Sequence, residues 1–410
     1  MRIPKTSTPV VVIECLLGGL AIMRSLGPHG ISLVGIDADR WAPGRLSRYC
    51  RAGVSLRLAQ DRKPEFLEQL LRVGRRLGQP ALLIPTSDET SEFVAEHAAA
   101  LDGPFLFPKV PAKIVTQLAS KKEMYGLARR HGIPTPHTIF PSTLDEVRSY
   151  AAQATYPVML KGIYGNRLQS RNHKKMVIVR SPEELISHYR RMEDPEVPNL
   201  MLQEYIPGGD DQIYIFNGYF NHQSECVLGM TGRKLRQFRI HTGCASLGEC
   251  RWYPDVAKLT TELMKAVGYR GILDIGYRFD ARDGQYKVLD INPRVGQAYR
   301  LFVTEDDCDV VKALYLDLTG QPVCSGRPRE GRRWLIEDFD AISSYHYWRE
   351  GTLTPGQWLR SFRGVEEAAW FSWKDPVPFL VMAAGFMKKM LTWSLKHAGL
   401  SRTKGSGDTH

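Results

Sequence analysis

"KVLDINPRVG", residues 287–296, sets an acid and an amide two positions apart on an otherwise apolar strand end, with Pro293 and Arg294 directly after. Side chains alternate along a strand, so Asp290 and Asn292 share one face while Leu289 and Ile291 turn the other way, into a core. The preceding stretch, "ILDIGYRFD" (272–280), alternates too: Leu273, Ile275, Tyr277 and Phe279 on one side, Asp274, Gly276, Arg278 and Asp280 on the other. Between the two lies "ARDGQ", in which Gly284 suits the last place of a three-residue hairpin loop closed by a left-handed glycine. That register pairs Ala281 with Gln285 and sets Asp274 opposite Asn292; a two- or four-residue loop would put Asp274 on the wrong face. Asp274, Asp290 and Asn292 then converge as an oxygen-only cluster. Oxygen ligands suit Mg²⁺ or Mn²⁺ rather than zinc, and Mg²⁺ is usually held by one or two carboxylates together with substrate phosphates. The hairpin therefore calls for a nucleotide; a solvated strand face with scattered acids is the plainer alternative.

The other half of a nucleotide site can be sought among lysines and acids elsewhere. "YPVMLKG" (156–162) is a buried strand that ends in Lys161, and a lysine there is desolvated unless it meets an anion, for which phosphate is a natural partner. "QEYIPGGDD" (203–211) supplies Glu204, the main chain at Tyr205 and Ile206, and acids at Asp210 and Asp211. Lys121 stands just before a helix from Lys122 to His131 and reads on its own as a solvated charge.

At the amino end, "VVVIECLL" (10–17), a helical stretch at 18–30 and "ISLVGID" (31–37) form a βαβ unit, which implies a parallel sheet. Gly18-Gly19 lacks the full GxGxxG pattern of a dinucleotide site. Glu14 interrupts the first apolar run, so the start reads as strand and helix rather than as a leader. The expected organisation is α/β and α+β: an α/β domain over 1–112, two further α/β subdomains over 113–200 and 201–325, the second with the metal cluster, and a helical extension over 326–410 with a disordered tail.

The 410 residues carry a formal charge of +11, which favours anionic partners such as nucleotides, acidic metabolites or an anionic membrane surface. The basic residues are spread out and no aromatic–basic module is legible, which argues against nucleic acid. Seven scattered cysteines, an odd number without any CxxC pair, argue against a disulfide framework and a structural zinc site and point to a reducing, cytoplasmic setting. Scattered thiols are also the better reading of Cys244 and Cys250 near His241. No stretch reaches the ~18 apolar residues of a membrane span. The segment 376–397, "PVPFLVMAAGFMKKMLTWSLKH", mixes apolar residues with Lys388, Lys389 and Lys396, as an interfacial helix does. Packing on the core as an ordinary cover, with Trp393 buried, is the favoured reading, and peripheral membrane contact is the alternative.

Taken in order, "SKKEMYGLARRHGIPTP", "YPVMLKG", "LQEYIPGGDD" and "LDINPR" resemble the ATP-grasp superfamily. "GLAIMRSLGPHGISLVGID", "SRYC" and "LLIPTSDE" look like the amino-terminal domain of its carboxylate–amine ligase branch, which includes D-aspartate-ligase-like proteins. The likeness runs from about residue 8 to 325. It implies ATP and Mg²⁺ (or Mn²⁺) as cofactors. Lys121 and Lys161 would contact the α- and β-phosphates, Glu204 with the main chain of Tyr205 and Ile206 would hold adenine, and Asp211 would take the ribose. Asp274, Asp290 and Asn292 would carry the metal, and Arg294 would steady the transferring phosphoryl group or the acyl phosphate. "GRKLRQFR" (232–239) falls where such enzymes place basic residues, with Arg233, Lys234 and Arg236 as candidates. Where many relatives have a glycine-rich flap, this chain has "GIYGNRLQSRNHKK" (162–175), in which Arg167, Arg171, Lys174 or Lys175 would supply charge instead of backbone amides, or would bind an acidic second substrate. The resemblance implies a ligase that joins a small carboxylic acid, an amino acid among the options, to an amine through an acyl phosphate. A phosphotransferase or thioester-forming ligase on the same fold, or a non-catalytic nucleotide-binding scaffold at a membrane, are the alternatives.

Overall fold

The computed structural model describes residues 1–164, 167–168, 176–194 and 196–388. Three sheets carry the chain. The first is wholly parallel: β1 (Val10–Ile13), β2 (Leu33–Ile36), β3 (Cys50–Val54), β4 (Ala81–Pro85) and β5 (Phe105–Leu106), in the order β3-β2-β1-β4-β5. β1, β2 and β4 are apolar on both faces because helices cover both sides, as parallel sheets require.

The second sheet is antiparallel, in the order β6-β9-β7-β8, from β6 (Thr138–Ile139), β7 (Val158–Gly162), β8 (Met176–Val179) and β9 (Leu200–Glu204). Helices Leu144–Gln153 and Pro182–Met192 back it through Val147, Ala151, Leu185 and Tyr189. The second of these begins as its sequence demands: Ser181 Oγ accepts from Glu184 N at 3.2 Å, with Pro182 at the first position.

The third sheet has the order β14-β13-β10-β11-β12-β15-β16. It comprises β10 (Ile213–Phe220), β11 (Cys226–Phe238), β12 (Cys244–Cys250), β13 (Gly271–Asp280), β14 (Gln285–Asn292), β15 (Arg333–Leu335) and β16 (Val365–Ala368). The segment after 325 is thus not purely helical, because β15 and β16 widen this sheet beyond β12. One core joins Ile22, Met23 and Leu26 of helix Leu17–Leu26, Val310, Val311 and Leu314 of helix Val310–Leu318, and Tyr219 and Leu228 of the third sheet. The parallel sheet and the large mixed sheet are packed together through it.

The β13–β14 hairpin differs from the expected one in its turn. Asp280, not Ala281, pairs with Gln285, so the loop is the four-residue Ala281–Gly284, with Gly284 left-handed at φ 71° as expected. Four residues alone would have put Asp274 on the wrong face. A β-bulge corrects this: Tyr277 pairs with Val288 but Gly276 with Asp290, so Leu289 is the extra residue and Asp274 lies opposite Asn292 after all. Val288 and Ile291 enter the core, whereas Leu289, expected there, does not; its carbonyl accepts from Tyr125 OH at 3.0 Å.

Cys308 and Cys324 are joined by a disulfide with Cα atoms 6.3 Å apart, contrary to the expectation from the odd cysteine count. Thr304 and Pro328, which flank the two cysteines in sequence, pair in an isolated antiparallel bridge. Cys244 is exposed and Cys250 is buried at the other end of β12, and no metal-binding group of His, Cys, Asp and Glu occurs among the described residues.

The extension is fixed to both halves of the body. Arg236 of β11 clasps Asp340 of helix Glu337–Arg349 through Nε–Oδ1 at 2.7 Å and Nη2–Oδ2 at 2.8 Å, both groups buried. Ser246 Oγ and Trp358 Nε1 also donate to Asp340, at 3.2 and 3.1 Å. Removing one partner leaves a buried charge without compensation. Asp340→Ala should therefore cost about 3–5 kcal/mol, read as a lower denaturant midpoint at unchanged slope; an unmoved midpoint would show the pair to be idle.

Candidate active site

Lys161 of β7 lies within electrostatic reach of Asp290 of β14, and residues 205–212 link β9 of the second sheet to β10 of the third. Asp274, Asp290 and Asn292 share a face as the alternation required. Asn292 Nδ2 donates to Asp290 Oδ2 at 3.3 Å, and Arg294 Nη2 donates to Asn292 Oδ1 at 3.1 Å. Two glycines make room for the acids. A Cβ on Gly276 would lie 2.6 Å from Asp290 Oδ1, and one on Gly296 would lie 2.4 Å from Asp274 Oδ2. Gly276→Val should displace the Asp290 carboxylate. Misplacement of that size costs up to about 100-fold in turnover, and a wild-type rate in this variant would detach Asp290 from the chemistry.

The acids differ in electrostatics. Burial pushes Asp274 up to about 6 against the pull of Arg294, with Asp290 adding to the rise. Asp290 is lowered overall: burial alone would raise it, but Lys121, Lys234, the Asn292 amide and Lys161 outweigh burial. Asn217, opposite Asp274 on β10, is fully buried, and its Oδ1 has no partner among the described residues.

Lys161 is 6% exposed and donates to Gln203 Oε1 at 2.6 Å. No carboxylate pairs with it among the described residues. Burial, then the neighbouring Lys121, lowers its pKa to about 7. Gln203 is held in turn by Nε2 bonds to Tyr125 OH at 2.8 Å and Thr138 Oγ1 at 3.0 Å. Lys121 is the first residue of helix Lys121–Arg130, one position earlier than the sequence suggested, and half-buried. Tyr125 one turn on belongs to the core under β14. Lys122 is exposed and lies 5.8 Å from the Phe140 ring.

The basic run on β11 splits. Leu235 has no partner on β12, and this bulge separates side chains that a regular strand would put on one face. Lys234 turns to the acids and its Nζ donates to Gly243 O at 2.9 Å. Arg236 turns away to Asp340, so it drops out as a site candidate. Arg233 is tied to Glu249 Oε2 at 3.0 Å, within electrostatic reach of Asp211.

The link between the sheets is held by Arg278, which donates to Ile206 O at 2.9 Å and Gly208 O at 2.7 Å and lies 5.9 Å from the Tyr205 ring. The Glu204 carboxylate is taken up by Arg282 at 2.7 Å, Lys287 at 3.3 Å and His137 N at 2.9 Å. Asp211 is exposed, whereas its neighbour Asp210 accepts from Tyr347 OH and lies 3.2 Å from His241 Nδ1. Arg294 Nε donates to Asp88 Oδ1 at 2.9 Å, which ties the loop after β14 to the helix after β4. Arg167 reaches Asp194 at 3.3 Å, while Arg171, Lys174 and Lys175 lie outside the described residues.

The structure thus gathers Lys121, Lys161, Lys234, Asp274, Asp290, Asn292 and Arg294. Sequence reading missed Tyr125, Gln203, Asn217 and Arg278, and Gly276 and Gly296 as the places left open for carboxylates. Tyr125 had a signal, the four-residue spacing from Lys121 that puts both on one helix face.

No family model matches the chain. It is 25% identical over 283 residues to the D-aspartate ligase of Enterococcus faecium, covering 65% of this chain and 66% of that protein, just under two thirds of its length. Among solved structures, N5-carboxyaminoimidazole synthetase from Staphylococcus aureus complexed with ADP is similar with a TM-score of 0.64 and 11% identity, over 86% of this chain and 88% of that one. An L-amino acid ligase from Bacillus licheniformis gives 0.57 and 15%, over 80% and 76%. The fold is that of these synthetases and ligases, the ATP-grasp fold whose motifs the sequence resembles.

Proposed function

We propose that this chain is an ATP-dependent ligase that joins a carboxylate to an amine, with MgATP held between the second and third sheets. The observation that carries the reading is Lys161: a lysine almost wholly buried, hydrogen-bonded to an amide oxygen, beside Lys121 and Lys234 and within reach of Asp290 but in no ion pair among the described residues. A buried ammonium without an ion-pair partner is costly, and a polyphosphate relieves that cost. The kinship with a D-aspartate ligase supports the same direction.

The donor set fits the metal. Two carboxylates and an amide oxygen are hard ligands suited to Mg²⁺ or Mn²⁺, with room for phosphate oxygens to complete the shell. Asp274, Asp290 and Asn292 would hold it, and Mg²⁺ bound there neutralises charge on the phosphates. The remaining work falls to the chain. Lys121 and Lys161 bind the α- and β-phosphates. Glu204 with the main chain of Tyr205 and Ile206 seats adenine, on a link that Arg278 keeps in shape, and Asp211 takes the ribose. Arg294, braced by Asp88, and Lys234 stabilise charge as the γ-phosphoryl group passes to the substrate carboxylate, and Arg233 assists from the ribose side. The amine then displaces phosphate from the acyl phosphate, giving amide, ADP and phosphate. No side-chain nucleophile is required.

A screen of amino acids, D-aspartate among them, against amine acceptors tests the reading. ADP and phosphate release that depends on both substrates is expected. AMP and pyrophosphate, or phosphate transfer without need of an amine, would replace it with another ATP-grasp chemistry.

A further inference from the structure

The helix over 377–388 breaks the rule for surface helices. Val377, Leu380, Val381, Ala384 and Met387 recur at helical spacing along its exposed face, with Leu380 and Met387 each 60% exposed. A solvent-facing stripe is normally polar. Its other side is only half-buried, through Phe379, Met382, Ala383 and Phe386. Just before the helix, Trp373 is 87% exposed; it stacks edge-on against Phe371, which in turn meets Phe379. The surface is therefore a continuous apolar patch capped by an aromatic ring.

The patch is rigidly placed. Asp375 is fully buried; it accepts from Arg24 Nε at 3.0 Å, Ser47 Oγ at 2.7 Å and Arg48 N at 2.9 Å. Charge defines what can cover it. From Trp373 to His410 the cations are Lys374, Lys388, Lys389, Lys396, Arg402 and Lys404, against Asp375, already spent on Arg24, and Asp408. A second copy seated symmetrically on the patch would set lysines against lysines. An anionic bilayer offers hydrocarbon to the stripe and phosphates to the lysines. No helix among the described residues is long and apolar enough to cross a membrane, so contact is from one side.

We infer that the face formed by Trp373 and helix 377–388 docks on an anionic lipid surface, independently of the reaction the chain catalyses. The test is co-sedimentation of the full chain with phosphatidylglycerol-containing and pure phosphatidylcholine vesicles, at low and high salt, alongside the variant carrying L380E and V381E. These positions are exposed, so the variant should keep its circular dichroism spectrum and melting temperature. Binding to the anionic vesicles, weakened by salt and reduced about tenfold or more in the variant, is expected. Wild-type protein left in the supernatant at low salt would overturn the inference. So would equal binding by the variant, which would assign adsorption to net charge elsewhere. A dimer in light scattering that the variant abolishes, with no vesicle binding, would give the face to a second copy instead.

Discussion

Replacing Asp290 and Asn292 together by alanine is expected to lower Mg²⁺-dependent ATP turnover by about 100-fold or more, with the fold intact. Both side chains stand on one face of β14, opposite Gly276 and Asp274, and neither contributes to a core. Under the proposed function, their loss removes metal ligands rather than packing. Asp290 is the stronger case, since Lys121, Lys234 and Lys161 all bear on it and hold it ionised where an isolated buried acid would take up a proton. Asn292 also orients Arg294, so its single replacement should depress turnover more than it weakens nucleotide affinity. Steady-state ADP release, with melting curves as the fold control, decides. A double variant that turns over near the wild-type rate would remove the metal from this hairpin.

Lys161→Met is expected to abolish tight nucleotide binding, whereas Lys122→Met should leave it nearly unchanged. Lys122 is exposed; Lys161 is buried and makes no ion pair among the described residues. The depressed value of about 7 sets the sign of a further test. The unfolded chain keeps the proton on this lysine up to about pH 10.4, so between about 7 and 10 the unfolded state binds more protons and stability rises with pH. Phosphate favours the charged form. Nucleotide binding at about pH 8 should therefore draw a proton in, seen as a binding enthalpy that depends on the buffer's ionisation heat. The methionine variant should lose that dependence along with the affinity. Equal affinities for the two lysine variants, or no proton uptake by the wild type, would take the phosphate away from Lys161.

The parts of this fold that were legible were those written in side-chain period. Alternation on 272–280 and 287–292 put Asp274, Asp290 and Asn292 on one face, and a lone lysine at the end of an apolar strand marked Lys161. Bulges were not legible, because an extra residue leaves no mark in an apolar–polar pattern. The loop of Ala281–Gly284 was read one residue short, and the error cancelled only because Leu289 is skipped in the ladder. On β11 the compensating irregularity comes only after Arg236: with Leu235 skipped, Arg236 leaves the face of the acids for Asp340, a partner more than a hundred residues away, and the register is restored at Gln237. Contacts of that range, like Arg294 on Asp88 or Asp375 on Arg24, depend on how sheets pack, which no local spacing encodes. β15 and β16 escaped for a different reason: strands of three and four residues completed by a neighbour carry too little pattern of their own.

The central claim is the place of the metal and phosphates. Crystals grown with ADP and Mn²⁺, measured at the manganese absorption edge, test it in one experiment. An anomalous peak ligated by Asp290 and Asn292 with Asp274 beside it, and a phosphate oxygen hydrogen-bonded to Lys161 Nζ, are expected. Nucleotide bound elsewhere on the molecule, or manganese away from these three side chains, would contradict it.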